Sequence, residues 1–312
     1  MTRSPGPVAV PDPRCPAPRL LLWGVGATGR AAVQACECAT AVAGDYVAAG
    51  DAEFATGDFW EAEKPALLFR PALHPRTGVS ALLGARSLSA DTVLLVTREC
   101  SEMALQALTR IAGPLAGRGP TVSALVAIPF TPESNGMHCR IGRIQHGLRP
   151  LVRSLIMVPY CDGPPADAAM ALLPDARSVE IVLLRALELL VSAATNLSDR
   201  WDGFSSLEHL LAKGMDACVG YGVVENLAAL RGRLAAKQAI QQMDAGGLGT
   251  FEPRAVLAHC SRGIAFRFND GADIRNQVRK RWGPDIRPTL LTDGDRGVRR
   301  GYPVTLMAFW RR

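Results

Sequence analysis

Six residues offer the first opportunity for chemistry. Gly24-Val25-Gly26-Ala27-Thr28-Gly29 has the form G-x-G-x-x-G, follows an apolar run and precedes a helical pattern. Glycines in such a turn let a backbone approach a phosphate. The helix that follows supplies free N–H groups and a partial positive charge. Asp45 stands where a dinucleotide-binding fold places its ribose carboxylate. The same glycines serve equally well to pack a helix tightly on a strand, so the motif leaves a phosphate site and a purely structural turn both open.

Other chemistry-bearing residues form no recognisable constellation. His138, Cys139 and His146 lack the spacing of a zinc finger. His259, Cys260, Ser261 and Arg262 complete no triad. Glu180 and Glu188 lie two helical turns apart with Arg185 between them, a pattern of ion pairing rather than of acid–base work. No metal site is expected.

The elements that must position these residues follow from the apolar pattern. Leu20–Trp23, Ala41–Ala49, Thr92–Thr97, Val122–Ile128 and Leu151–Val158 read as strands, the last two closed by Pro129 and Pro159. Helical stretches at Arg30–Thr40 and from the end of the third strand through Leu115 alternate with them. That order predicts an α/β fold with a mostly parallel sheet covered on both faces. A helix over Arg177–Asn196 is apolar on nearly every side, which predicts burial in a large core or between domains. Beyond it, Leu207–Met215 and Val224–Met243 read as helices. Ala255–Phe268, Arg287–Leu291 and Tyr302–Phe309 have strand character, and Val304, Leu306, Ala308 and Trp310 share one face of a half-buried last strand. The expected organisation is a flexible proline-rich arm at 1–18, a Rossmann-like nucleotide-type domain at 19–176, a central helix at 177–197 and a smaller α+β domain at 198–312.

The 312 residues are 48% hydrophobic and 21% charged, enough to bury a sizeable core and too apolar for a disordered chain. The net charge of +6 is spread thinly, apart from arginines and a lysine near the C-terminus. No stacking aromatics interleave with them, so no nucleic-acid site is expected. The eight cysteines show no paired zinc spacing and read as small buried hydrophobes of a reducing compartment. No signal peptide is recognisable. The most apolar stretch, Val179–Ala194, carries Glu180, Arg185 and Glu188, so no transmembrane segment is expected either and a cytoplasmic location follows.

In order and spacing, the segments resemble bacterial FtsZ and the tubulin-like family. LLWGVGATGRAAV at 21–33 resembles the family's first strand and first phosphate loop, and YVAAGDA at 46–52 its second strand and following loop, of which Asp51 survives. DTVLLVT at 91–97 is similar to the strand before the main phosphate loop. VSALVAIPF at 122–130 resembles the next strand with its Pro-Phe end, and Glu133, Gly136 and Arg140 echo the segment after it. LIMVPY at 155–160 is similar to a strand whose end in the family carries an asparagine near the base. Arg177–Asn196 resembles the long central helix, Leu207–Gly222 the helix after the catalytic loop, Gly263–Val278 a strand-turn-helix of the second domain, and Tyr302–Phe309 the last strand.

The departures fall where the family does its chemistry. Its run G-G-G-T-G-T-G, which wraps phosphates with backbone amides, is replaced here by Arg98-Glu99-Cys100-Ser101-Glu102-Met103-Ala104. The catalytic loop, with an asparagine and two aspartates in the family, is replaced by Arg200-Trp201-Asp202-Gly203-Phe204-Ser205-Ser206-Leu207. On the register of Phe204 the aspartate places hold Gly203 and Ser206, and Asp202, one place out, is the one carboxylate left.

The resemblance therefore implies a tubulin/FtsZ-like fold with degenerate nucleotide and catalytic loops, and no catalytic residue beyond the weak candidate Asp202. A surviving nucleotide site, for GTP or GDP if any, would draw on Gly24, Gly26, Ala27, Thr28, Gly29, Asp51, Arg98 and Ser101. Three functions follow. The first is a non-hydrolysing structural or regulatory protein that self-assembles as a homo-oligomer or joins an active FtsZ-like partner. The second is a divergent nucleotide-binding protein with weak or altered hydrolysis. The third is a dinucleotide-dependent enzyme with Asp45 on the ribose.

Overall fold

A computed structural model describes residues 20–39, 45–49, 60–62, 92–98, 102–117, 119–130, 136–161, 179–196, 207–212, 214–225, 230–247, 251–261, 268–293 and 301–311. The arm 1–18, Asp51, Glu99, Ser101 and Asp202 lie outside them.

Six strands alternate with helices in the first half: β1 (Leu20–Val25), α1 (Gly26–Ala39), β2 (Asp45–Ala49), β3 (Trp60–Ala62), β4 (Thr92–Arg98), α2 (Glu102–Leu115), β5 (Thr121–Phe130), α3 (Gly136–Leu148) and β6 (Ser154–Cys161). The helix α4 (Val179–Asn196) follows. The second half holds α5 (Leu207–Ala212), β7 (Met215–Glu225), α6 (Arg231–Ala245), β8 (Ala255–Ser261), α7 (Phe268–Trp282), β9 (Thr289–Asp293) and β10 (Gly301–Arg311). All strands join one ten-stranded sheet in the order β3-β2-β1-β4-β5-β6-β7-β10-β8-β9. Neighbours from β2 to β7 run parallel, β3 is antiparallel to β2, and β10 is antiparallel to both β7 and β8.

Burial on both faces explains the unbroken apolar strands. Along β4, Val93 and Leu95 enter one core while Leu94 and Val96 enter the other. Helices α2, α3, α6 and α7 cover the first face, and α1, α4 and α5 the second. The central helix α4 packs on α1 and β6 of the first half and on β7 to β10 of the second. Its Arg185–Glu188 ion pair is largely buried, as the pattern of charges predicted.

The second half departs from the sequence reading in several places. Residues 215–222 are strand, not helix. Met215, Ala217, Val219 and Tyr221 of β7 alternate into the core beneath α4. Gly220 and Gly222 face α6 instead, whose backbone approaches so closely that a Cβ on either would meet Ala239 within 2.9 Å. That close approach, not helix propensity, explains the glycines. Val224 is likewise strand, and α6 begins only at Arg231. Strand β8 ends at Ser261, and Phe268 opens α7. Strands β5 and β6 continue through Pro129 and Pro159, which pair with Tyr160 and Ile128 across the ladder. The last strand is not half-buried. Lying between β7 and β8, β10 sends Val304, Leu306, Ala308 and Trp310 to one core and Met307 and Phe309 to the other.

Strands β6 and β7 meet through only Ile156↔Ala217 and Met157↔Cys218. The fully buried Asp216 stitches their start, accepting from Leu155 N–H at 3.1 Å and pairing with Arg149 at 3.2 Å. Further along, helix α6 supplies the missing partners. Gln242 accepts from Tyr221 N–H at 2.6 Å and donates to the Pro159 carbonyl at 2.6 Å, and Gln238 accepts from Val223 N–H at 3.1 Å. Leaving these buried backbone groups unpaired would cost about 1–3 kcal/mol each.

Candidate functional site

In an open sheet of parallel strands, ligands bind outside the carboxyl ends where strand order reverses. Here that point lies between β1 and β4, because the chain runs from β1 outward to β2 and later returns to β4 on the other side. Helix α1 leaves β1 toward one face and α2 leaves β4 toward the other. The crevice between the two helix starts is the candidate site.

Its β1 side keeps the features of an anion site. Gly24 is a buried strand residue paired with Ala48 and Val96. Val25 ends the strand and Gly26 opens the helix directly, so Gly26, Ala27 and Thr28 form the first turn, where helical N–H groups have no intrahelical acceptor. No acidic residue stands in that turn, and Thr28 is half-buried. Gly29 has a different task. A Cβ there would overlap the Val96 carbonyl oxygen and lie 3.1 Å from its carbon, so the glycine lets α1 lie against the backbone of β4. The last glycine of the motif is accounted for by helix–strand packing alone.

The β4 side is built differently. Arg98, its final residue, pairs with Ala127 of β5 and reaches across that strand to β6. Its Nε donates to the Tyr160 hydroxyl of β6 at 3.0 Å, and its guanidinium carbon lies 5.6 Å from the centre of the Tyr160 ring. Tyr160 is itself buried. The cation is thus drawn sideways along the strand ends. Only Glu99, Cys100 and Ser101 separate Arg98 from α2, whose first residue is Glu102. Residues 99–101, which carry the chain from Arg98 to α2, lie outside the described residues. Among the described residues, the first turn of α1, free of acidic residues, offers the place for a phosphate contact.

Among the predicted residues, the crevice gathers Gly26, Ala27, Thr28 and Arg98 at the strand ends, while Gly24 and Gly29 sit in packing positions. Asp45 opens β2 at the opposite end of its strand from the crevice. Tyr160, the partner of Arg98, was not singled out, although its place at the end of an apolar strand was the available signal. Cys260 is buried within β8, where its thiol donates to the Leu291 carbonyl at 3.9 Å. Burial pushes the Cys218 thiol well up, with the charge of Asp244 adding to the effect. Tyr302 is also pushed up by burial, then by Cys260 and Asp270. For Arg185, burial opposes the charge, but Glu188 and Tyr221 outweigh it and hold the guanidinium above its usual range. None of these groups is poised as a nucleophile or base. Among the described residues, no helix is long and apolar enough to cross a membrane.

No family model and no curated protein sequence matches the chain. Solved structures do. A tryptophan-to-tyrosine mutant of FtsZ from M. jannaschii is 16% identical, with 93% of this chain and 90% of that one covered and a TM-score of 0.63. An empty FtsZ dimer from M. jannaschii is 15% identical over 94% of this chain and 88% of that one, with a TM-score of 0.66. CetZ2 from Haloferax volcanii, in a GTPγS-bound protofilament, is 15% identical over 93% and 92%, with a TM-score of 0.56. At such identities the likeness concerns architecture, and this chain has the tubulin/FtsZ fold, with a mixed sheet clothed by helices on both faces.

Proposed function

We propose that this chain is a non-hydrolysing structural or regulatory protein of the tubulin/FtsZ fold, which self-assembles or associates with an active FtsZ relative. The observation that carries this reading is Arg98 at the end of β4, whose guanidinium is engaged by Tyr160, followed by a sequence at 98–104 with none of the glycines that wrap a triphosphate. Residues 200–207 support it, because they lack the paired aspartates that would position and activate a water beside a γ-phosphate. An FtsZ dimer and a CetZ2 protofilament among the structural neighbours make assembly through a head-to-tail surface the natural mode. Such a heterologous surface gives open filaments. Without hydrolysis those polymers lack their usual trigger for disassembly, so the protein forms stable assemblies or caps those of a relative.

The test is sedimentation of the purified chain, alone and mixed with an active FtsZ, with and without GTP. Assembly or co-sedimentation of this chain that does not depend on GTP supports the reading. Pelleting that requires GTP and reverses as GTP is consumed by the chain alone contradicts it.

A second reading, a divergent nucleotide-binding protein with weak or altered hydrolysis, is favoured by the first turn of α1, which is free of acidic residues. It requires that Gly26→Val abolish nucleotide affinity. Unchanged affinity in that variant removes it.

A further inference from the structure

The sheet ends at β9, which pairs with β8 on one side and with no described strand on the other. Both faces of this strand are covered. Leu290 packs on the core beneath α7, and Leu291 enters the core that α4 shares. What is left open is the outer edge, where alternate backbone N–H and C=O groups point away from β8. Open edges are ordinarily blunted by lysine, proline or a bulge. Thr289-Leu290-Leu291-Thr292-Asp293 contains no lysine or proline, and its register with β8 runs unbroken from Leu257↔Thr289 to Ser261↔Asp293. This edge is a template for a further strand.

The flank of that edge is basic. Helix α7 crosses from β8 to the parallel β9, so it runs antiparallel to both. One side of α7 meets α6, through Asp270 on Arg231 and Arg281 on Asp244. The other side lies toward the sheet edge. Gly271 marks it, because a Cβ there would stand 3.0 Å from the Leu290 side chain. Arg275 and Arg279 follow Gly271 on that side at one-turn steps. With a rise of about 1.5 Å per helical residue and about 3.3 Å per strand residue, they stand level with the residues that lead into β9. Arg287 is among those residues. All three arginines are exposed, and none forms an ion pair with a described residue. The exposed Asp285, in the turn before β9, is the acid nearest them in sequence. Asp273, three residues after Asp270, stands on the α6 side of α7, and Asp293 closes β9 at its far end.

We propose that the β9 edge is a docking site for an extended acidic segment of a partner protein, which adds a strand to the sheet and sets its carboxylates against Arg275, Arg279 and Arg287. Main-chain hydrogen bonds hold such a strand. The arginines bind carboxylates through paired N–H donors. Charge complementarity selects this occupant over a second copy. Two copies joined through β9 about a two-fold axis would share their sheet faces and lay α7 beside its own copy, arginine flank against arginine flank. The opposite edge of the sheet, β3, spans only Trp60–Ala62 and would leave part of β9 unpaired. The inference rests neither on the crevice nor on the mode of assembly.

Fluorescence anisotropy on the full chain tests it with a labelled peptide of three glutamates followed by Thr-Val-Thr-Val-Thr. Two further forms carry N-methyl groups on alternate residues of the Thr-Val stretch, one in each phase. The parent peptide is expected to bind. One methylated phase is expected to lose about tenfold or more while the other keeps its affinity, because only alternate N–H groups of an added strand face the edge. Arg275→Glu/Arg279→Glu is expected to weaken the parent peptide by a similar factor, and melting curves verify that this variant keeps the fold. Absence of binding, equal affinity of the two methylated phases, or undiminished affinity in the variant each overturns the proposal. Dispersal of the chain's own assemblies by the parent peptide would assign the edge to a second copy and overturn it as well. GTP turnover is expected to be the same with and without the peptide, so the crevice and this edge are judged separately.

Discussion

Replacing Gly29 with alanine separates a packing glycine from a phosphate-binding one. On propensity alone, alanine in a helix gains about 1 kcal/mol over glycine. At Gly29 the new methyl overlaps the Val96 carbonyl oxygen and approaches the Thr97 Cα to 3.3 Å, all backbone atoms of a central strand. Neither α1 nor β4 can yield by rotating a side chain, so the helix must lift by about 1 Å from a close-packed sheet. Overpacking of this kind costs about 1–3 kcal/mol, and rigid backbone neighbours place it at the upper end. The net expectation is a loss of about 1–2 kcal/mol. Gly142 is the internal control. It lies exposed in α3 with nothing within 4 Å of its would-be Cβ, so Gly142→Ala should gain close to the full propensity term. Urea denaturation of both variants reads the difference from their midpoints, expected to be about 2–3 kcal/mol. Equal midpoints would refute the packing account of Gly29 and return that glycine to the list of ligand contacts.

Further outcomes follow from the same geometry. Gln242→Ala unpairs the Tyr221 amide and the Pro159 carbonyl and should cost about 2–4 kcal/mol in urea melts, with Gln242→Glu failing to restore the bond to Pro159. Asp270→Ala strands Arg231 beneath Tyr302, whose ring centre lies 4.6 Å from the guanidinium, and should cost about 3–5 kcal/mol. The double change Arg231→Met/Asp270→Leu should recover most of that loss. The Cys218 thiol should resist alkylation until the chain unfolds. Because burial holds its pKa in the folded state above that of an unfolded thiol, about 8.5, stability is full below that pH and falls as pH rises beyond it, when only the unfolded state sheds the proton. Cys218→Ala should flatten that alkaline slope in thermal melts.

The first half of the fold was legible because its strands are buried on both faces. The run Thr92–Arg98 could belong only to such a strand, and Val179–Asn196 only to a buried helix. The helix at 207–212 was legible, but residues 215–222 were not. Their strand signal, the alternation of Met215, Ala217, Val219 and Tyr221, is interrupted by Gly220 and Gly222, whose reason lies in the backbone of α6, a later element. Pro129 and Pro159 read as strand ends because proline lacks a ladder donor. Yet both sit within paired strands, and the Pro159 carbonyl is taken by a side chain 83 residues away, Gln242. At the crevice, the glycine motif predicted a strand-to-helix junction that the fold contains. Its division of labour, with Gly29 against Val96 and the first turn facing the strand ends, depends on how α1 meets β4. The link from Arg98 to Tyr160 was invisible for the same reason, since it joins residues far apart in the chain through strand order.

The central claim is that a tubulin/FtsZ fold has here lost GTP turnover. Phosphate release from GTP with magnesium, measured on the purified chain across a range of concentrations that spans assembly, tests it most directly. The account predicts no release above that of buffer at any concentration, and no rise when the chain assembles. Turnover that increases with chain concentration and vanishes in Asp202→Ala would contradict it.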